Sequence, residues 1–124
     1  RFPDLSVEWN IDENIHAEIP PMVLQTLVEN AVKHGIMKQE GQGTIRISIT
    51  RQPDGLLFMV ADDGPGLSQQ ELEKILEAPA AETGIGLYNT HTRLTRLYGH
   101  GLSLSGSPGK GTEISFIIPS GRNT

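Results

Sequence analysis

The stretch Leu24 to Gly35, LQTLVENAVKHG, constrains the chain more than any other. Leu24, Leu27, Val28 and Ala31 fall at i, i+3, i+4 and i+7, one apolar stripe of an α-helix. Thr26, Glu29, Asn30 and Lys33 repeat that spacing on the opposite side, with His34 beside them. Pro20-Pro21 suits a helix start, because a proline near the first turn gives up no needed N–H. Gly35 is a natural C-terminal cap. The helix thus offers an apolar face to a core and an opposite face bearing a carboxylate, an amide, an ammonium and an imidazole. Alone, this describes an ordinary surface helix, with Glu29 and Lys33 as an i,i+4 pair worth about 0.2–0.5 kcal/mol.

The glycines downstream change that reading. Gly-x-Gly clusters stand at 64–66, 84–86 and 109–111, each at a junction between elements. Glycine there permits unusual backbone conformations and lets main chain approach a ligand closely. Acidic residues precede the first cluster, and a helix start follows the second, offering free N–H groups and a partial positive charge to a phosphate. Neither a Walker P-loop nor a Rossmann fingerprint is present.

The other segments fit one domain of 124 residues, long enough for a single core. Leu5, Val7 and Trp9 alternate as in an edge strand, and Ile45, Ile47 and Ile49 as in a half-buried one. After the Pro53-Asp54-Gly55 turn, Leu56 to Ala61 is continuously apolar, as expected of a central strand covered on both faces. Ser68 and Glu71 form a capping box for a short helix to Leu76. Leu67 to Thr83 reads as a short lid without a phenylalanine and as the most mobile internal segment, above all at Glu77 to Thr83. A helix from Gly84 to near Gly99 turns Leu87, Leu94, Leu97 and Tyr98 inward, and two strands follow. The order β-α-β-β-(lid)-α-β-β predicts an α+β fold: a two-layer α/β sandwich, its mixed and mostly antiparallel sheet carrying helices on one face.

Composition sets the remaining bounds. There is no cysteine, hence no disulfide or zinc-thiolate site. No run approaches a membrane span. A net charge of −5 argues against a nucleic-acid partner. The chain opens on Arg1 rather than methionine, so it reads as a fragment of a longer protein.

In order and spacing these motifs resemble the GHKL superfamily, which shares the Bergerat ATP-binding fold. LVENAVKHG is similar to its N box, DDGPG to G1, TGIGL to G2 and GKGTEISFIIP to G3. The resemblance covers about residues 20 to 119. It is nearest to the catalytic domain of LytS/YehU-type sensor histidine kinases. It implies ATP and Mg²⁺ as ligands and a cytoplasmic location for this domain. The full-length protein would form a homodimer and, in some arrangements, be anchored in the inner membrane. The partners implied are a histidine-acceptor domain and, indirectly, a response regulator.

By the same resemblance Asn30 ligates magnesium, Lys33 faces the phosphates with His34 beside it, and Asp62 accepts from the adenine amino group. Gly64 and Gly66 let the backbone pass under the base. Gly84, Ile85, Gly86 and Leu87 cradle phosphates, and Thr112 lies near adenine. Glu29 assists the acceptor or merely pairs with Lys33. Arg93 and Lys110 are candidates for phosphate or partner contacts, or plain surface charge. Hydrolysing relatives place a carboxylate where this chain has Thr26, so water has no base there. None of His16, His34, His91 and His100 stands in an acceptor-like context. The reading is a protein-histidine kinase catalytic domain. Its alternatives are an ATPase driving a conformational cycle and a nucleotide-binding module without chemistry.

Overall fold

The structure, a computed structural model, describes residues 4–13, 22–36, 42–78 and 85–119. Its elements are β1 (Asp4–Ile11), α1 (Val23–Asn30), a π-helical turn (Ala31–Ile36), β2 (Gln42–Gln52), β3 (Gly55–Asp62), α2 (Gln69–Glu77), α3 (Ile85–Tyr98), β4 (Ser103–Gly106) and β5 (Thr112–Pro119). The five strands form one sheet in the order β1-β2-β3-β5-β4. β1 runs parallel to β2, and every other pair is antiparallel. The parallel pair is possible because α1 lies between its strands, and a parallel connection needs such a crossover.

Register puts Ile47, Val60 and Ile114 side by side, and next to them Ile49, Phe58 and Phe116. This face is the buried one. Phe58 and Phe116 stack with ring centroids 4.8 Å apart. Above them lie Val23, Leu27 and Ala31 from the first helix and its π-turn, Leu72 and Ile75 from α2, and Leu87 and Leu94 from α3. The expected sandwich with helices on one face is therefore present. β1 carries Val7, Trp9 and Ile11 on the helix side of the sheet, but at its edge, where all three are exposed.

Several local expectations are corrected. β3 is central but not covered on both faces: Phe58 and Val60 are buried, while Leu57 and Met59 are half-buried on the open face. Their cross-strand neighbours there include Thr50, Ser48, Ser115 and Ile117, so the apolar run is sheltered by the sheet rather than by a second layer. Glu8 and Arg46, paired in register on that face, meet at 3.2 Å as a solvent-exposed ion pair. Leu97 is exposed, because the inward line of α3 runs through Leu87, Leu94 and Tyr98 and Leu97 lies a step off it.

The lid expectation also changes. Ser68 Oγ accepts from Glu71 N at 3.2 Å and Glu71 Oε1 accepts from Ser68 N at 3.0 Å, so the capping box forms. Those contacts hold the exposed Glu71 carboxyl below its ordinary value. α2 then buries Leu72 and Ile75 against α3 and β4, and Gln69 Nε2 donates to Leu104 O at 3.2 Å. The first half of the lid is thus docked on the core; residues 79–84 lie outside the described residues.

Candidate functional site

α1 starts at Val23, and Met22 ahead of it adopts a left-handed conformation with φ 71°. The apolar stripe packs as the spacing predicts, with Val23 added: Val23, Leu27 and Ala31 are buried, and Leu24 and Val28 pack half-buried beside them. At Ala31 the backbone changes from α to π. Single π-turns within helices are rare and often mark functional sites. The switch carries the chain through Gly35, which lies inside the turn instead of capping an α-helix. It also rotates Lys33 relative to the position a 3.6-residue period assigns it. The π-turn packs on β2 and β3.

Asn30 is the last α-helical residue and is half-buried. Among the described residues its amide has no hydrogen-bond partner. Lys33 is exposed. Glu29 does not pair with Lys33; its Oε2 accepts from Gln25 Nε2 at 3.0 Å. The side chain of His34 lies outside the described residues.

Asp62 ends β3 and faces Thr112 across the β3–β5 pair. Its Oδ1 accepts from Gly64 N at 2.8 Å. Burial pushes its carboxyl above the ordinary value; the Gly64 N–H opposes this, the Asp63 charge reinforces it, and the Thr112 N–H opposes it further. Asp63 does different work: its Oδ1 accepts from Thr44 N at 2.9 Å and pins the end of β2. The site thus has an acceptor-only group at the sheet end, half-buried and held in orientation.

The first and third glycine clusters interlock. A Cβ on Gly66 would stand 2.3 Å from Ser107 O, and one on Gly111 would stand 2.0 Å from Asp62 O. Gly109 N donates to Pro65 O. Glycine at 66 and 111 is therefore required by main chain packed on main chain. Gly64 is buried in the same loop, and Lys110 is exposed on the β4–β5 turn.

The second cluster behaves differently. Gly84 and the Ile85 side chain lie outside the described residues. Gly86 sits in the first turn of α3 and is exposed, and a Cβ there would meet only Thr26 Cγ2, at 3.5 Å. Among the described residues no atom demands glycine at this position, although glycine costs a helix up to about 1 kcal/mol relative to alanine. Gly86 itself is exposed. Leu87 follows with its side chain in the core, so only its main chain can contribute to a ligand.

Thr26 lies one turn before Asn30 and packs toward Gly86, joining α1 to α3. The structure therefore brings Asn30 and the π-turn, the Asp62–Thr112 strand ends and the start of α3 to one side of the sheet. Among the described residues no three His, Asp or Glu side chains cluster as a metal cage. His91 and His100 are occupied in the fold: His91 Nδ1 accepts from Leu102 N at 2.9 Å, and His100 Nε2 lies 3.1 Å from Ile117 O. Sequence reading passes over Asn89 and Thr90, which share the Gly86 face of α3; their spacing of i+3 and i+4 is the signal for them.

Residues 18–122 match the family described as histidine kinase-, DNA gyrase B- and HSP90-like ATPase. The chain belongs to this family. The sensor histidine kinase YpdA of Escherichia coli K12 is 38% identical over 123 residues, covering 98% of this chain and 22% of that protein. The sensor protein LytS of Bacillus subtilis is 36% identical over 126 residues, covering 96% of this chain and 21% of its own. The chain therefore spans about a fifth of the length of these relatives. Among solved structures, the nucleotide-free catalytic domain of histidine kinase ThkA superposes with a TM-score of 0.73 at 21% identity, over 93% of this chain and 78% of that one. That likeness establishes the fold. No helix among the described residues is long and apolar enough to cross a membrane.

Proposed function

We propose that this domain binds Mg²⁺-ATP and passes its γ-phosphoryl group to a histidine on a separate acceptor domain, as the catalytic part of a sensor histidine kinase. The observation that carries the reading is Gly86: an exposed glycine in the first turn of α3 that no contact among the described residues requires, facing Thr26 of α1. Membership of an ATPase family supplies the nucleotide class. The kinase chemistry rests on the names of the relatives, which cover this chain almost end to end.

The residues present fit the ligands. The Asp62 carboxylate, acceptor-only when ionised, suits the exocyclic amino group of adenine and not a guanine carbonyl. Gly64 N–H holds it in place, and Thr112 stands beside it to take part through its hydroxyl. The N–H groups of the α3 start, through Ile85, Gly86 and Leu87, receive phosphate oxygens. Asn30 would offer a hard, neutral amide oxygen to a magnesium ion, an ion that needs no all-protein cage. When bound, that ion neutralises charge on the β- and γ-phosphates. Lys33, exposed on the π-turn, would supply a further positive charge, and Glu29, also exposed, would take a proton from the acceptor.

In the transfer, a nitrogen lone pair of the acceptor imidazole forms the new P–N bond. The bond from the γ-phosphorus to the bridging oxygen breaks, and ADP leaves with that electron pair. The proton on the other ring nitrogen is released. Positioning and electrostatics supply most of such catalysis. The domain would work in the cytoplasm, within a homodimer that hands the phosphoryl group on to a response regulator.

The test incubates radiolabelled ATP with this chain alone and then with a cognate, folded acceptor domain. The kinase reading expects slow hydrolysis alone and labelled acceptor in the mixture. Brisk hydrolysis alone supports the ATPase alternative. Binding without any transfer supports the module alternative.

A further inference from the structure

Between α1 and α3 runs a groove of about 100 Å³ lined by Met22, Val23, Thr26, Asn89, Thr90 and Arg93. Its position follows from helix geometry. On α3, Gly86, Asn89, Thr90 and Arg93 fall at i, i+3, i+4 and i+7 and share one face. On α1, Thr26 and Asn30 fall at i and i+4 and also share a face. Thr26 packs toward Gly86. The groove therefore begins where the α3 start meets α1 and runs away from it, toward Met22 on one wall and Arg93 on the other. Thr26 is the lining residue that ties the groove to the α3 start, through its packing toward Gly86.

The chemistry of the lining is one-sided. It holds a hydroxyl at Thr26, an amide at Asn89, a buried hydroxyl at Thr90 and a guanidinium at Arg93, and no carboxylate. Arg93 is exposed and, among the described residues, has no ion-pair or hydrogen-bond partner. That is notable in a chain with 15 acidic and 10 basic residues. From Gly86 to Arg93 is about 10 Å along the helix axis. Helical side chains lean toward the N-terminus of their own helix, which favours an Arg93 side chain extending along the groove toward Asn89, one turn nearer Gly86. A guanidinium offers a planar fork of donors matched to phosphate oxygens.

We propose that Arg93, with Asn89 beside it, reaches the terminal phosphoryl group of the bound nucleotide from the α1–α3 groove, so that this groove distinguishes a nucleoside triphosphate from a diphosphate. The inference rests on the nucleotide reading above. Thr26 is part of the arrangement: a carboxylate at that position would pair with Arg93 and hold it away from the phosphate.

The test titrates the parent, Arg93→Gln and Arg93→Lys by calorimetry with Mg²⁺-ATP and with Mg²⁺-ADP, and follows urea unfolding of each. Loss of a hydrogen bond to a charged group should cost Arg93→Gln about tenfold or more in ATP affinity. Its ADP affinity and its urea midpoint should match the parent, because the side chain is exposed and, among the described residues, unpartnered. Arg93→Lys should recover part of the ATP loss, as a point charge without the fork. Equal losses for ATP and ADP, or no loss for ATP, would overturn the assignment while leaving the nucleotide site standing. A folded parent that binds neither nucleotide would bring down the site itself, and Arg93 with it.

Discussion

Replacing Gly86 by alanine separates what the fold needs from what a ligand needs. The added methyl would lie 3.5 Å from Thr26 Cγ2, an ordinary contact, and the backbone at 86 is not in the left-handed region. Alanine restricts the unfolded chain more than glycine and favours a helix, a gain of ~0.4–1 kcal/mol at a compatible position. For a chain of 124 residues that corresponds to a rise in Tm of about 1–5 °C. The ligand should register the opposite. A methyl on the open face of the first turn keeps a phosphate from the N–H groups, and one lost charge-assisted hydrogen bond is worth about 1.5–3 kcal/mol, or ~10–150-fold in affinity. Thermal unfolding without nucleotide and calorimetric titration with Mg²⁺-ATP measure the two effects on one variant. A Gly86→Ala protein that is stabilised yet binds ATP as the parent does would refute the argument that the glycine serves a ligand. One that unfolds at a lower temperature would show that the fold requires glycine after all.

Asp62→Ala should weaken ATP binding by about 10- to 150-fold in a folded protein, and unchanged affinity on titration would remove Asp62 from the adenine site. Because burial raises the Asp62 pKa above its usual 3.8, its favourable contribution to stability is complete below that value and is lost as pH rises through the folded pKa. Asp62→Asn should accordingly be more stable than the parent at neutral pH, with the gap closing on acidification, as urea unfolding across pH would show. Asn30→Ala should lower affinity for ATP in magnesium to the value found in EDTA, and a variant that still gains from Mg²⁺ as the parent does would free Asn30 of that role. Amides of α2 should exchange slowly, because Leu72 and Ile75 anchor it; exchange there as fast as at an exposed turn would refute the docking of the lid's first half.

Much of this architecture is legible in the residues because pattern and packing agree. Alternating isoleucines in β2, the turn at Pro53-Asp54-Gly55 and the Ser68–Glu71 capping box each specify local structure that tertiary contacts reinforce. The parts that escape are those where a local rule meets a non-local one. A 3.6-residue period carries the first helix on past Ala31, whereas the backbone opens into a π-turn as it crosses β2 and β3. An apolar run reads as a strand covered on both faces, yet Leu57 and Met59 are sheltered by neighbours within the sheet. The groove beyond Gly86 is invisible along the chain, because its two walls, at residues 22–26 and 89–93, meet only after folding.

The glycine clusters look alike in sequence and do unlike work. At 66 and 111 the main chains of two loops touch, and a Cβ at either position would lie within van der Waals radii of a carbonyl oxygen. Those glycines hold the Asp62 strand end against the β4–β5 turn, so their substitution would damage the fold and reveal nothing about a ligand. At 86 the nearest atom to a Cβ among the described residues is a threonine methyl at ordinary distance. On the proposed reading Thr26, which packs α1 toward Gly86 of α3, would also deny water a base beside the phosphates, since a hydroxyl does not take a proton near neutral pH as a carboxylate can. General-base assistance is typically worth about 10²–10⁴-fold. On the proposed reading, a site that positions a terminal phosphoryl group but leaves water unactivated would hold its nucleotide until a better nucleophile arrives. The close approach of α1 and α3 at Thr26 and Gly86 is therefore at once a packing feature and an argument for transfer over hydrolysis.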